Sequence, residues 1–165
     1  FFKLTLQTNE LVYVVSEDKL EDLSIWAQWY AARDLAAKVA GIPLDTSDFD
    51  LAMAGGRMEV IARFIGTTSA VSEATKRTLG QKLTLELEQK VFGKSLGEYE
   101  LSGEAWWAYI YGMVAMVQNE RWGNIDVDRQ KSLIIGLRDW IAENREKPNI
   151  FNYVDVKWRN EIEGV

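Results

Sequence analysis

The stretch that decides the fold runs from Glu104 to Trp122 and reads EAWWAYIYGMVAMVQNERW. Between Ala105 and Val117 it contains no charged residue and no strongly polar one. A membrane-spanning helix needs about 20 apolar residues, so this shorter segment predicts a helix buried in a protein core. A helix that is apolar on every side has to be covered on every side by other elements. The segment therefore predicts a central helix, and we expect no membrane span.

Small side chains recur along one face of this predicted helix, at Ala105, Ala108, Gly112 and Ala115. Positions three or four residues apart lie on the same side of a helix, so these residues form one narrow stripe. Such a stripe lets the backbone of another helix come close. We therefore predict that Gly112 lies at a tight helix contact, where a larger side chain destabilises the fold.

The chain before this helix predicts a β-hairpin followed by helices. Residues 1–16 alternate β-forming side chains around a polar turn. A long helix is predicted to follow and to end at Gly41, and a shorter one is predicted to end at Gly80. Residues 82–93 are ambiguous, because their leucines alternate as in a strand and also follow a helical stripe.

The chain after the central segment is predicted to be helical. Residues 128–147 form an amphipathic pattern whose apolar side carries Leu133, Ile134, Leu137 and Ile141. The last residues, from 149 to 164, are predicted to form a further helix. The sequence therefore predicts a mostly α fold of the α+β class: a helical core with a short N-terminal β-hairpin, in a single compact domain over residues 1–165.

An internal sequence similarity suggests that this fold consists of two repeats. The motif KLTLQ near the start of the chain recurs as KLTLE at residues 82–86, and Arg57 aligns with Arg138 at an offset of 81 positions. Similarity at a fixed period is the sequence signature of a repeated structural unit. On this hypothesis the chain consists of two pseudo-symmetric β-α-α-α units, residues 1–81 and 82–165.

The composition excludes several kinds of chemistry. The chain contains no Cys and no His. It therefore lacks thiolate nucleophiles, disulfides and the commonest general base and transition-metal ligand. The acidic loops at residues 45–50 and 124–128 lack the EF-hand pattern, and helix capping explains them better than calcium binding does. We predict no catalytic residue, no metal site and no cofactor.

The charge balance argues against nucleic acid as a partner. The net charge is −6, and the Lys and Arg residues are scattered, with no run longer than Lys76–Arg77. Nucleic-acid binding depends mainly on a basic face that neutralises phosphates. We expect no nucleic-acid binding and a cytoplasmic protein. The first residue is Phe rather than Met, which is also consistent with a removed leader.

The candidates for contact with a partner or ligand are Trp29, Trp106, Arg57, Arg138 and Glu104. The two arginines lie among apolar neighbours. We favour an arrangement in which the aliphatic part of each arginine packs on the core and its guanidinium is in solvent. The alternative is that the guanidinium forms a buried ion pair or binds an anionic ligand. Glu104 belongs to an acidic cluster whose simplest role is at a helix N-terminus.

The neighbouring residues Trp106 and Trp107 cannot both face the core centre, because successive helical side chains point about 100° apart. Trp107 lies one turn before Tyr111, so we predict that Trp107 is in the core. Trp106 and Trp29 are then predicted to lie at the edge, where an indole N–H can reach water or a partner.

These features predict a non-enzymatic helical protein-interaction module, such as a regulator, an immunity-type inhibitor or an assembly factor. The basis is an acidic chain with seven Trp and no catalytic set. The alternative is a small-ligand-binding domain or an enzyme with an aromatic and arginine-lined pocket between two repeats. A closed core with an exposed aromatic patch would support the first, and a deep pocket lined by Trp, Arg and carboxylates the second.

Overall fold

The structure, a computed structural model, describes residues 3–8, 11–16, 57–69, 71–97 and 99–164. Two strands, β1 (Lys3–Thr8) and β2 (Leu11–Ser16), pair antiparallel, with Thr8 opposite Leu11. The described helices are α1 (Arg57–Thr67), α2 (Glu73–Phe92), α3 (Gly103–Val117), α4 (Val127–Asn144) and α5 (Ile150–Glu163). A 3-10 turn at Trp122–Asn124 separates α3 from α4. The predicted long helix that ends at Gly41 lies outside the described residues.

The helix predicted from the apolar stretch is α3, and it lies at the centre of the helical part. Within the described chain, α1, α2, α4 and α5 all pack against it. Every residue from Ala105 to Met116 is buried. Ser102 caps the helix, since its side chain accepts a hydrogen bond of 3.3 Å from the Ala105 backbone N–H. The prediction of a central helix is confirmed, and its neighbours explain why all of its surface is apolar.

The helical character of the described part is confirmed, but one predicted boundary is wrong. The helix predicted to end at Gly80 continues as α2 to Phe92, where Gly93 ends it with a φ of 74°. Glycine inside a helix costs about 1 kcal/mol relative to alanine. Gly80 is tolerated because α3 lies very close, and a Cβ at that position would be 2.7 Å from the Cβ of Trp106. The ambiguous residues 82–93 are therefore helical up to the C-cap.

The close helix contact predicted at Gly112 is present. A Cβ at this position would lie 2.8 Å from side-chain carbons of both Leu137 and Val154. These two residues belong to α4 and α5, so Gly112 sets the distance from α3 to both helices.

Within the described ranges, no helix has both the length and the apolar character that crossing a bilayer requires.

The predictions for the C-terminal helices are confirmed. Leu133, Ile134, Leu137 and Ile141 are all buried on one side of α4. Asp126 caps α4 by accepting a hydrogen bond of 3.0 Å from the Arg129 backbone N–H, which agrees with the capping explanation of this acidic loop.

The two similar segments at the start of the predicted repeats have different secondary structures. The KLTLQ segment forms β1, whereas KLTLE lies within α2. The second copy is helical because Leu79, Leu83 and Leu87 bury one helical face. Residues 82–86 are therefore helical. Much of the proposed first unit lies outside the described residues, and the two-repeat arrangement stays a prediction.

Candidate functional site

A buried carboxylate lies at the contact between α2 and α3. Glu88 is 0% exposed. Its carboxylate accepts hydrogen bonds from the Tyr109 hydroxyl at 3.1 Å and from the Leu96 backbone N–H at 3.0 Å. The guanidinium of Arg138, on α4, lies 3.5 Å from the same carboxylate. We call Glu88, Tyr109 and Arg138 the inner triad.

Arg138 is buried as deeply as its partner. It is 4% exposed, and its guanidinium lies 5.6 Å from the ring centre of Tyr109 and 5.3 Å from that of Tyr99. Its Nη2 also donates a hydrogen bond to the carbonyl of Gly97. The position that we favoured from the sequence, with the guanidinium in solvent, is therefore wrong. The Arg138 guanidinium pairs with Glu88, which lies 50 positions earlier in the chain. The loop after α2 also contacts it through the Gly97 carbonyl.

Burial makes every member of the inner triad dependent on the others. Removing a charge from water is expensive unless a partner and hydrogen bonds replace the water. Burial, reinforced by the negative charge of Glu88, raises the pKa of the Tyr109 hydroxyl well above its ordinary value. Two buried atoms, Arg138 Nε and Thr84 Oγ1, make no hydrogen bond within the described part of the chain.

The inner triad also holds the loop between α2 and α3 in place. Glu88 binds the N–H of Leu96, and Arg138 binds the carbonyl of Gly97, so the two charged side chains hold adjacent residues of the loop. Gly97 has a φ of 118°, a backbone conformation that favours glycine. Tyr99, two positions later, is exposed at the surface.

A surface groove begins where this loop meets α2. Its volume is about 420 Å³, and the described residues that line it are Arg77, Gln81, Tyr99, Glu100, Leu101 and Trp106. An adjoining lobe of about 350 Å³ shares three of them and adds Ser102 and Arg145. We use "the groove" for the first set and "the second lobe" for the second. Tyr99 is the most open aromatic of the groove, with 38% of its surface exposed.

The edge position predicted for Trp106 is wrong. Trp106 is 3% exposed and Trp107 is 0% exposed, so both are buried. The reason is Gly80, whose missing side chain lets α2 cover both indoles. Trp107 is in the core as predicted, and its indole N–H donates to the Lys76 carbonyl at 2.9 Å. Trp106 contributes to the lining of the groove, and its role in binding stays a prediction.

Of the other predicted site residues, only Glu104 has a described side chain. Trp29 lies outside the described residues, and of Arg57 only the backbone is described, as the first residue of α1. Glu104 is partly exposed in the first turn of α3, where a negative charge is favourable. Arg138 and Trp106 do approach the groove, Arg138 through the ring of Tyr99 and Trp106 directly.

Sequence reasoning missed the charged walls of the groove. Glu100 had a signal, since it belongs to the acidic residues just before the Trp pair. Arg77 and Arg145 had none, because Arg77 lies on α2 and Arg145 just after α4, and only the folded chain brings both to the second lobe.

A second triad of the same kind lies on the other side of α3. The Tyr111 hydroxyl donates to one oxygen of Asp155, and Arg63 donates to the other at 3.0 Å. The Arg63 guanidinium lies 5.5 Å from the Tyr111 ring centre. We call Arg63, Tyr111 and Asp155 the outer triad. Burial, and then the hydrogen bond to Asp155, raise the pKa of the Tyr111 hydroxyl to about 12. The pKa of the nearby Glu59 carboxyl is also raised, mainly by burial and secondly by the negative charge of Asp155.

Among the described residues there is no group of three or more acidic side chains placed to hold a metal ion. No protein-family model matches this chain, and no curated protein and no solved structure is similar enough to match it. The geometry of the groove and of the two triads is therefore the basis for a proposal of function.

Proposed function

We propose that this chain is a non-enzymatic helical protein-interaction module, acting as a regulator, an inhibitor or an assembly factor, and that the groove contacts its partner. The exposed ring of Tyr99 beside Arg77 carries this proposal. Tyrosine and arginine are enriched at protein interfaces and among their energetic hot spots. Tyr99 is also held from below by a buried guanidinium, so little freedom is lost when a partner binds it.

The arrangement of the buried charges supports recognition rather than catalysis. The Glu88 carboxylate accepts hydrogen bonds from Tyr109 and Leu96 and pairs with Arg138. These contacts occupy the Glu88 carboxylate within the core, where it has no access to a substrate. Four residues that line the groove are instead exposed, where a partner protein can make contact: Arg77, Gln81, Tyr99 and Glu100.

Quantitative affinity purification from the cells that produce the protein tests this proposal. We expect Tyr99→Ala to lower the recovery of a specific partner at least tenfold, a loss of about 1.4 kcal/mol. Tyr153→Ala is the matched control, because Tyr153 is 45% exposed on α5 and has Lys147 over its ring. Equal recovery by both variants would show that the groove is not the contact surface. Melting curves check that each variant is folded.

A small-ligand-binding site is the second candidate, and the size of the groove favours it. A volume of about 420 Å³ lies within the range of roughly 300–1,000 Å³ that is usual for ligand sites. A ligand at a hundred times its Kd would stabilise the fold by about 2.7 kcal/mol. A thermal-shift screen with small aromatic acids distinguishes the two, since a shift that Tyr99→Ala abolishes, without any protein partner, would favour the ligand site.

We also propose that the chain acts in the cytoplasm and does not bind nucleic acid tightly. The net charge of −6 argues against tight nucleic-acid binding, as does the Glu100 carboxylate that lines the second lobe together with Arg77 and Arg145. Salt-sensitive, sub-micromolar binding in an electrophoretic shift assay would contradict it.

A further inference from the structure

Two arginines from separate segments of the chain line the second lobe. Arg77 is exposed on α2, and Arg145 follows the last turn of α4. Glu100, Leu101 and Ser102, just before α3, form a further part of its wall. In a chain of net charge −6, two guanidinium groups at one concave surface form a local positive site.

Both guanidinium groups keep donors available for a ligand. Arg77 makes no hydrogen bond or ion pair with the described part of the chain. Arg145 donates from Nη1 to the Ala142 carbonyl at 2.8 Å, and its Nε lies 4.0 Å from a carboxylate oxygen of Glu146. This ion pair is weak, because the two side chains are 49% and 96% exposed. Since arginine has five N–H donors, most of them stay free to bind a ligand.

The chemistry of the lobe fits a carboxylate better than another group. A guanidinium binds a carboxylate through two parallel hydrogen bonds, and two arginines can share its oxygens. Glu100, on the same wall, disfavours ligands with many negative charges, such as a nucleic-acid backbone. The neighbouring groove adds the exposed ring of Tyr99 as a contact for an adjacent side chain.

We propose that the second lobe binds an acidic segment of a partner protein, with an Asp, Glu or terminal carboxylate held between Arg77 and Arg145 and the next side chain against Tyr99. This inference rests on the proposed interaction function and specifies the chemistry of the partner. The charge complementarity between the two arginines and a carboxylate is what selects this occupant.

Selection from a phage-displayed library of random dodecapeptides, with the full chain as bait, tests the proposal. We expect the selected peptides to be enriched in Asp and Glu. A synthetic copy of the most enriched peptide should lose at least tenfold in affinity toward the double variant Arg77→Glu/Arg145→Glu, measured by fluorescence anisotropy. The control Arg121→Glu/Arg129→Glu changes two exposed arginines elsewhere and should bind as the natural chain does.

A charge swap separates a direct contact from a general field effect. Replacing the acidic residue of the peptide by Lys should abolish binding to the natural chain and restore it with the double variant. Selected peptides without acidic enrichment, an absence of binding peptides, or stronger competition by a single-stranded oligonucleotide would each overturn the proposal.

The two proposals fail in different ways. If the double variant binds a partner normally while Tyr99→Ala does not, the carboxylate site is wrong and the interaction function stands. If neither variant changes partner recovery, both are wrong.

Discussion

Two triads of the same composition lie on opposite sides of α3, and they differ in their access to water. Tyr109 and Tyr111 are two positions apart, so their side chains point about 200° apart around the helix. The first donates to Glu88 and the second to Asp155. An arginine guanidinium lies 5.6 Å from the first ring centre and 5.5 Å from the second. The carboxylates, however, are 0% and 23% exposed.

This difference teaches that the same contacts have different consequences at different depths. In the inner triad no water can replace a lost partner, so removing one group leaves a buried charge unsatisfied. In the outer triad water can hydrate whatever remains. We therefore expect the inner triad to be necessary for the fold and the outer one to be nearly dispensable.

Breaking the inner triad should have the largest effect. We expect Glu88→Ala to destabilise the fold by about 3–5 kcal/mol, because Arg138 is left buried without its counter-charge. Urea unfolding followed by circular dichroism measures this. The double variant Glu88→Leu/Arg138→Met should be more stable than Glu88→Ala, since it removes both charges. A loss below 1 kcal/mol for Glu88→Ala would mean that depth does not separate the triads.

Gly112→Leu should come next, at about 1–3 kcal/mol or more, because the new side chain pushes α3 from Leu137 and Val154. These two residues precede Arg138 and Asp155, so the substitution should loosen both triads, visible as weaker near-ultraviolet circular dichroism. Gly136→Leu is the matched control. A side chain there would meet nothing within 4 Å, and stability should rise or stay constant. Equal melting temperatures for the two variants would contradict the tight contact.

Breaking the outer triad should have a smaller effect. We expect Asp155→Ala to destabilise the fold by about 1 kcal/mol or less, because the Arg63 guanidinium is partly exposed and water can hydrate it when its partner is removed. The exposed pair of Lys157 and Glu161 provides a reference, since Glu161→Ala should change stability by at most a few tenths of a kcal/mol. A loss for Asp155→Ala as large as that for Glu88→Ala would remove the distinction between the triads.

The last effect should appear only at alkaline pH. The folded pKa of Tyr111 is about 12, above its ordinary value of 10.0. Between these values the unfolded chain has lost a proton that the folded chain keeps, so the free energy of unfolding falls as pH rises. Below pH 10 the contribution is fully present. Tyr111→Phe should lose less stability across this interval in urea unfolding at a series of pH values. Identical slopes for both chains would contradict the raised pKa.

Several features of the fold follow from the sequence alone. The apolar stretch of α3, the stripe of α4 and the capping role of the acidic loop at residues 124–128 were all predicted. Helical periodicity and capping depend on residues a few positions apart, so they can be read from a short window.

Only the tertiary structure decided the rest. Gly80 reads locally as a helix end, yet α2 passes through it because α3 lies close by. The sequence favours a solvent-exposed guanidinium for Arg138, yet this group is buried and pairs with Glu88, which lies 50 positions earlier in the chain. The second lobe likewise joins Arg77 to Arg145 across three segments. Burial of a charge and the shape of a surface site depend on partners distant in sequence, and no local pattern encodes where those partners will meet.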